Sequence, residues 1–283
     1  MRCVARALLA VVALTACAGP SSGQSWRTLE SSRQLRDSAE HQVRIRYGAG
    51  RFDMGATTSP LLYSMTLRYD EESSRPVHQY DPEEHSLTLG IESESRRLHT
   101  NLRDQAKGEL RVLLSRAVPL DLELELGATR STLDLGGLSL VNARLQSGAS
   151  ETRLDFSSPN AADLRRFDIE VGAASFEARN LANANASTIR LHGGVGTVDL
   201  DFGGRWTRDM TVEVEVALGK LTLHVPRDVG VRMDVQKVLA SFDHEGLRKR
   251  GDAYFSENWD TAKYHVRIRA ETVFGAIELD RGT

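Results

Sequence analysis

The strongest candidate for chemistry in the sequence is a pair of carboxylates two residues apart. Asp199 and Asp201 alternate with apolar residues in the segment VDLDF, so both are predicted to project from the same face of one strand. Such a pair could bind a divalent cation or serve as the two carboxylates of a glycoside hydrolase. A cation site would also need acidic residues from the next repeat, where GKLTLHV offers a lysine. The simpler interpretation is that both carboxylates face solvent.

Other residues of chemical potential do not form a recognisable site. The histidines lack the H-E-x-x-H spacing of a metal site; they are His41, His78, His85, His99, His192, His224, His244 and His265. The glycines of HGGVGT (192–197) lead into a strand, whereas a phosphate-binding loop depends on a following helix N-terminus. Asn185 begins an N-x-S signal, which is a glycosylation acceptor only in organisms that use that signal. We therefore predict no catalytic residue, no metal ligand and no cofactor.

The densest aromatic cluster lies near the C-terminus and comprises Tyr254, Phe255, Trp259 and Tyr264. These rings could stack on a glycan or on the side chains of a partner. They could instead shield the open end of a repetitive β-domain. We favour the capping role and keep the interaction patch as the alternative.

The first residues predict export and a lipid anchor. Arg2 and Arg6 give a positive start, and the apolar run that follows is too short to span a bilayer, so residues 1–16 are predicted to be a signal peptide. The run ends in LTAC, which resembles the bacterial lipobox, in which Cys17 would be lipidated and become the first mature residue. Because Ala18 follows instead of aspartate, the resemblance implies the outer membrane, facing the periplasm, in a double-membraned bacterium.

Cysteine count and charge exclude several classes of protein. Cys3 would leave with the signal peptide, so a lipidated Cys17 leaves no thiol for a disulfide, a thiolate metal site or a nucleophile. The net charge is −3, with both signs interspersed along the chain. A nucleic-acid partner is not expected, because neutralising phosphates requires a basic face.

Apolar and polar residues alternate from residue 43 onward, which is typical of half-buried strands. Glycines recur with a strand on each side, at Gly127, Gly148, Gly172, Gly194 and Gly219. We predict an all-β, solenoid-like coiled sheet with rungs of about 22–25 residues, in which these glycines stack at one corner. An antiparallel meander or sandwich, with the glycines in hairpin turns, is the alternative. The inward residues are Leu, Val, Ile and Phe, which predicts a filled interior.

Four segments are predicted from these patterns. Residues 1–16 are the signal peptide, and 17–42 are the lipidated cysteine and a flexible tether rich in Gly, Ser and Pro at its start. Residues 43–99 are an N-terminal β unit, and 100–283 are the repetitive domain with a C-terminal cap.

Three segments carry a resemblance to a known family: VRIRYGAGRFDMG, RAVPLDLELELGATRSTLDLGGLSL and HVPRDVGVRMDV. Over residues 43–281 the chain resembles the toast-rack family, which is related to the cell-wall-active-antibiotic response proteins of bacterial envelopes. The resemblance implies a coiled sheet and a non-catalytic envelope module. Some relatives carry transmembrane helices and restrain a sensor kinase, whereas no such helix is predicted here. Ala-Ser-Phe at 240–242 also replaces an expected glycine triplet.

Our leading functional prediction is a non-enzymatic, lipid-anchored scaffold or interaction module of the cell envelope. Its expected partners are the membrane, through Cys17, and an unidentified envelope protein or glycan. The resemblance also suggests a link to the envelope-stress response. The alternative is a β-helix carbohydrate-active enzyme that cleaves envelope polysaccharide with Asp199 and Asp201. A lipid or small-molecule carrier ranks last, because it would need a hollow interior.

Overall fold

The computed structural model describes residues 25–93 and 108–282, and within them the chain is almost entirely β. The strands in chain order are β1 (Trp26–Gln34), β2 (His41–Thr57), β3 (Leu61–Asp70), β4 (Ser74–Asp81), β5 (Ser86–Ser93), β6 (Glu109–Ser115), β7 (Leu120–Asp134), β8 (Leu140–Ser147), β9 (Ser150–Asp155), β10 (Leu164–Arg179), β11 (Ala186–Asp201), β12 (Met210–His224), β13 (Gly230–Asp243), β14 (Leu247–Arg250), β15 (Ala253–Ser256) and β16 (His265–Asp280). A 3₁₀ turn covers Leu181–Ala184. No helix in the described ranges is long and apolar enough to cross a bilayer. The predicted all-β class is confirmed.

Parallel pairing dominates the middle of the sheet. β2, β7, β10, β11, β12, β16 and β13 follow one another, and the shorter β8 and β9 together fill the rung between β7 and β10. Antiparallel pairs join β1, β3 and β6, and β4 and β5, at one end, and β14 and β15 at the other. Successive repeats that stack in parallel make a coiled sheet, so the solenoid-like prediction is confirmed.

Each long strand bends once and lines two sides of the core. In β11, Ile189 and Leu191 are buried before the bend, and Val198 and Leu200 are buried after it. The bend shifts the alternation of inward and outward side chains, so both halves of the strand turn their apolar residues inward. Equivalent side chains of successive rungs then form continuous rows, such as Leu124, Leu145, Ile169, Leu191 and Val214.

Glycine is required at the bend because the backbones of neighbouring rungs touch there. A Cβ on Gly196 would lie 1.8 Å from the carbonyl oxygen of Ala174, and one on Gly219 would lie 1.8 Å from that of Gly196. Both glycines have a φ of 144°, which L side chains rarely adopt. Gly275 continues the row on β16 with the same close approach to Gly219.

The corner glycines form two adjacent rows, where the sequence predicted one. Four of the predicted glycines stack together, namely Gly127, Gly148, Gly172 and Gly194. Gly219 belongs to the second row, in register with Gly196, so its predicted place was wrong. Ala217 takes the first-row position on β12, and this is tolerated because first-row residues do not need a positive φ. Ala240 stands in register with Gly275, at the interruption noted at 240–242.

Buried asparagines close the loops on the side opposite the glycines. The Asn160 side chain accepts a hydrogen bond from the backbone N–H of Leu140 (2.7 Å) and donates to its carbonyl oxygen (2.9 Å). Asn183 donates to the carbonyl oxygen of Phe156 (2.8 Å) and accepts from the N–H of Arg205 (2.7 Å). These bonds satisfy backbone groups that the loops would otherwise bury without partners.

The interior is more polar than predicted beside the first rungs of the corner. Thr129 and Ser131 are buried with their hydroxyl oxygens 2.8 Å apart. Ser147 and Thr152 are also buried, and their hydroxyls lie 2.6 and 3.3 Å from that of Ser150. The prediction of Leu, Val, Ile and Phe holds for much of the core but not here, where hydroxyls that bond to one another can be buried at little cost.

Two predicted segment boundaries differ from the structure. Residues 26–34 were placed in the tether, but they form β1 and pair with β3 along its length. Their alternation is weak because β1 is an edge strand with mostly exposed side chains. The predicted division at 99/100 is not a domain boundary, since β6 pairs with both β2 and β3 in the same sheet. Residues 1–24, including Cys17, lie outside the described residues.

The last long strand is inserted out of chain order. A regular repeat would stack β13 directly on β12, but β16 pairs with β12 on one side and with β13 on the other. The position beside β12 is therefore occupied by β16, which follows the β14–β15 hairpin in the chain, and β13 lies one strand farther out. The repeat pattern did not predict this insertion.

Gly219→Ala should destabilise the fold by about 3 kcal/mol or more, because the new methyl group meets the Gly196 carbonyl and the backbone is strained. Gly48→Ala is the matched control at the same corner, where a Cβ meets nothing within 4 Å, and should change stability by less than about 0.5 kcal/mol. Urea unfolding followed by circular dichroism measures both. Equal effects would contradict the proposed contact.

Candidate interaction surfaces

Opposite charges alternate across neighbouring strands on the outer face that precedes the corner. In sheet order the row is Arg44, Glu123, Arg144, Asp168, Arg190, Glu213, Arg269 and Asp234. Because the strands are parallel and in register, the backbones of neighbouring residues in the row lie about 4.8 Å apart, which is one strand spacing. Because the sign alternates, neighbouring side chains in the row attract each other, whereas a row of like charges would repel.

Several of these charges form direct ion pairs. Arg190 Nε lies 2.7 Å from Glu213 Oε2, and Arg44 Nη2 lies 2.6 Å from Glu123 Oε2. The side chains are largely hydrated, so each pair contributes little to stability on its own. The row forms a partly hydrated outer face on which charges of opposite sign alternate.

One carboxylate of the predicted pair, Asp199, is engaged with a histidine on the next strand. His224 Nδ1 lies 3.0 Å from Asp280 Oδ2, and Nε2 lies 3.4 Å from Asp199 Oδ2. Burial tends to lower the pKa of His224, but the hydrogen bonds and charges of Asp280 and Asp199 outweigh it and raise the pKa. Asp201 accepts a hydrogen bond from the N–H of Gly203 (2.8 Å). Asp199 and Asp280 thus link β11 and β16 to His224 of β12, whereas Asp201 bonds only to the loop that follows it.

Other candidates from the sequence also have structural partners. No group of three or more His, Cys, Asp and Glu side chains within 25–93 and 108–282 is arranged to hold a metal. His99 lies outside those ranges. HGGVGT forms the bend of β11, as interpreted. The Asn185 side chain donates to the carbonyl oxygen of Ala162 (3.1 Å) and accepts from the Thr207 hydroxyl (2.7 Å).

The predicted aromatic patch is divided between separate contacts at the last rungs. The Tyr254 ring packs edge-on against Phe242 of β13, with centroids 5.0 Å apart. Phe255 packs against Trp259 at 5.4 Å, and Tyr264 lies under the Lys263 ammonium group. The rings are partly buried, and β15 pairs with the outermost long strand. The arrangement suits a cap, and a role in binding a partner stays a prediction.

Large exposed apolar side chains gather at the corner of the last four long strands. We call them the apolar ridge, and they are Val195, Leu218, Phe274, Leu239, Val273 and Val238, with exposures of 44–73%. Val195 is in register with Leu218, Leu218 with Phe274, and Phe274 with Leu239. The ridge therefore crosses four adjacent rungs without interruption.

The sequence of the first ten strands assigns the family. Residues 21–179, more than half of the chain, match the family model described as the N-terminal domain of toast_rack, DUF2154. The chain belongs to the toast-rack family. The matched range includes β1, and β11 to β16 continue the same sheet beyond it. No curated protein matches the chain in sequence.

Solved structures align with most of this chain at low sequence identity. A candidate adhesin from Bacteroides fragilis NCTC 9343 aligns with a TM-score of 0.51 and 10% identity over 90% of this chain and 97% of that chain. A candidate cell adhesion protein from Clostridium sporogenes ATCC 15579 aligns with a TM-score of 0.46 and 15% identity, over 91% of this chain and 100% of that chain. A candidate lipid binding protein from Parabacteroides distasonis ATCC 8503 aligns with a TM-score of 0.32 and 9% identity, over 91% of this chain and 97% of that chain. At 10% identity the likeness to the Bacteroides fragilis structure concerns the fold alone.

Sequence reasoning missed the apolar ridge and the His224 cluster in this toast-rack chain. The ridge had a readable signal, because VLAS, ALGK and VFGA place large apolar residues beside the corner glycine or its substitute. The His224 cluster had no local signal. Asp280 reaches it only because β16 is inserted beside β12.

His224→Gln should remove a pH-dependent stabilisation. Because folding raises the pKa of His224, the stabilisation is present below the unfolded-state pKa of about 6.5 and is lost as the pH rises through the folded value. We expect the free energy of unfolding of the native chain to exceed that of the variant by less than about 1 kcal/mol near pH 5.5, since the side chains are partly hydrated. Near pH 9 the two free energies should be almost equal. Urea unfolding at both pH values measures the difference. A gap that grows with pH would contradict the assignment.

Tyr254→Ala should destabilise the C-terminal end by about 1–3 kcal/mol, because it removes the ring that covers Phe242. Tyr264→Ala, which removes a ring beside Lys263, is the control and should have a smaller effect. Hydrogen exchange of β13 and β16 amides would locate the loss. Equal protection in both variants would contradict the capping role.

Proposed function

We propose that this toast-rack protein is a non-enzymatic interaction module, held on the bacterial envelope by a lipid on Cys17. Family membership supports an envelope role, and the shared fold with a candidate adhesin agrees with a binding function. The observation that carries the proposal is the position of the exposed apolar side chains, at the end of the sheet opposite β1. A link with the envelope-stress response rests on the resemblance to the antibiotic-response proteins.

Lipid attachment at Cys17 would orient this sheet relative to the membrane. The chain from Cys17 to Trp26 can span no more than about 30 Å, so β1 would stay close to the bilayer. From β1 to β13 the sheet makes ten strand-to-strand steps, about 48 Å along its axis. The last rungs could then extend away from the membrane and meet a partner.

The carbohydrate-active enzyme receives no support from the contacts of its proposed carboxylates. Asp199 bonds to His224, and Asp201 accepts from a backbone N–H. Both lie on an open outer face, where water competes with every hydrogen bond to a substrate. The lipid or small-molecule carrier is likewise unsupported, because the core positions are filled by side chains.

Cys17→Ser should abolish lipid attachment when the full chain is expressed in a bacterium with a palmitate probe, because serine cannot form the thioether. Cys3→Ser is the matched control, since Cys3 would leave with the signal peptide, and it should label like the native chain. The readout is probe fluorescence of the protein band. An unlabelled native chain, or undiminished labelling of Cys17→Ser, would disprove the anchor.

A further inference from the structure

The apolar ridge is not required by the fold that displays it. On earlier rungs the same corner row carries only Ala49, Ala128 and Ala173. Alanine therefore suffices for the bend, yet the last four rungs place Val, Leu, Phe and Leu in this row and leave them about half exposed. A contiguous exposed apolar patch marks an interaction site.

We propose that the ridge is a homodimer contact, in which a second copy of this chain packs its own ridge against it. The two-fold axis runs along the ridge, so each rung meets the same rung of the second copy. Leu218 then lies opposite Leu218, and Phe274 opposite Phe274. The sheet axes of the two copies run in the same direction.

Charge complementarity selects this arrangement. Glu215 and Glu271, in register on β12 and β16, flank the ridge on one side, where Glu215 also pairs with His192 (3.1 Å). Lys220 flanks the ridge on the other side, where it also pairs with Glu278 (2.8 Å). With the axis along the ridge, Glu215 faces Lys220 of the second copy. With the axis across the ridge, Glu215 would face Glu271 of the second copy. Like charges opposed across an interface are unfavourable, so the parallel arrangement is preferred.

The size of the ridge sets the expected strength. Six side chains with these exposures offer on the order of 500 Å² of apolar surface per copy, which is a sizeable patch for a soluble domain. Two such surfaces bury about 1,000 Å², at the low end for specific interfaces. We therefore expect a weak, reversible dimer that depends on local concentration.

The position of the ridge favours a second copy over the membrane as its occupant. The ridge begins about 34 Å from β1 along the sheet axis, well away from a bilayer at the β1 end. A further reason rests on the lipid anchor of the proposed function. Parallel copies place both β1 strands at the same end, as two chains anchored in one membrane require. Confinement to a membrane would raise the effective concentration of the copies.

Disulfide crosslinking in intact bacteria tests the dimer directly. Leu218→Cys and Phe274→Cys, each in the full chain, should give a dimer band on a non-reducing gel after oxidation with copper phenanthroline, because each meets its own equivalent. Ala161→Cys, exposed in a loop on the side opposite the glycine corner, is the matched control and should give at least tenfold less. No band from either ridge position, or an equal band from the control, would overturn the dimer. A band only when the two single-cysteine chains are co-expressed would overturn the parallel arrangement.

A charge exchange tests the flanking pair without altering the ridge. In the Leu218→Cys chain, Glu215→Lys should reduce the crosslinked fraction severalfold, and adding Lys220→Glu should restore it. Failure of the second change to restore crosslinking would overturn the assigned orientation. Palmitate labelling of the same cells reports the lipid anchor separately, so the anchor can fail while the dimer stands, and the reverse.

Discussion

Backbone contact at the glycine corner is the constraint on which the rest of this structure depends. The carbonyl of each rung occupies the space where a side chain of the next rung would begin, as between Gly196 and Gly219. That contact keeps the rungs in register along both halves of the bent strand, because the backbone can approach this closely only where no Cβ intervenes. Every other row of residues is then aligned, with Leu over Leu in the core and charge beside charge outside.

Because the parallel strands are in register, the order of the strands decides which charged side chains become neighbours. If β13 stacked on β12 in chain order, Asp234 would stand beside Glu213, and two carboxylates would repel. With β16 inserted between them, Arg269 separates the two acids and the alternation of sign continues to the last strand. The ion pairs are individually weak, and stacking β13 on β12 would replace one attractive step of this row, Glu213 beside Arg269, by a repulsive one. The row thus favours the observed order over its simplest competitor.

Sequence reasoning predicted the features that depend on local patterns and missed those that depend on long-range pairing. Alternation and the glycine repeat are local, and they predicted an all-β coiled sheet with stacked glycines. The insertion of β16 depends on pairing between residues more than fifty positions apart, such as Val214 and Ala270, which no local pattern reports. The strand β1 was missed for another reason: an edge strand with exposed side chains lacks the alternation of a half-buried one. The contact of His224 with Asp280 was missed because it depends on that insertion.

The β13 end of the coiled sheet, and the edge strand β4 at its other end, carry features that oppose further strand addition, so association at these edges is disfavoured relative to the corner. Lys237 of β13 is in register with Thr272 and Val216, both buried, so it places a charge in a core row where a further rung would stack. The β14–β15 hairpin covers part of the same strand, and Tyr254 closes the space above Phe242. At the other end, Pro76 lies in the edge strand β4 and cannot donate a backbone hydrogen bond. Edge pairing would build open-ended fibres, whereas contact through a corner can close after two copies.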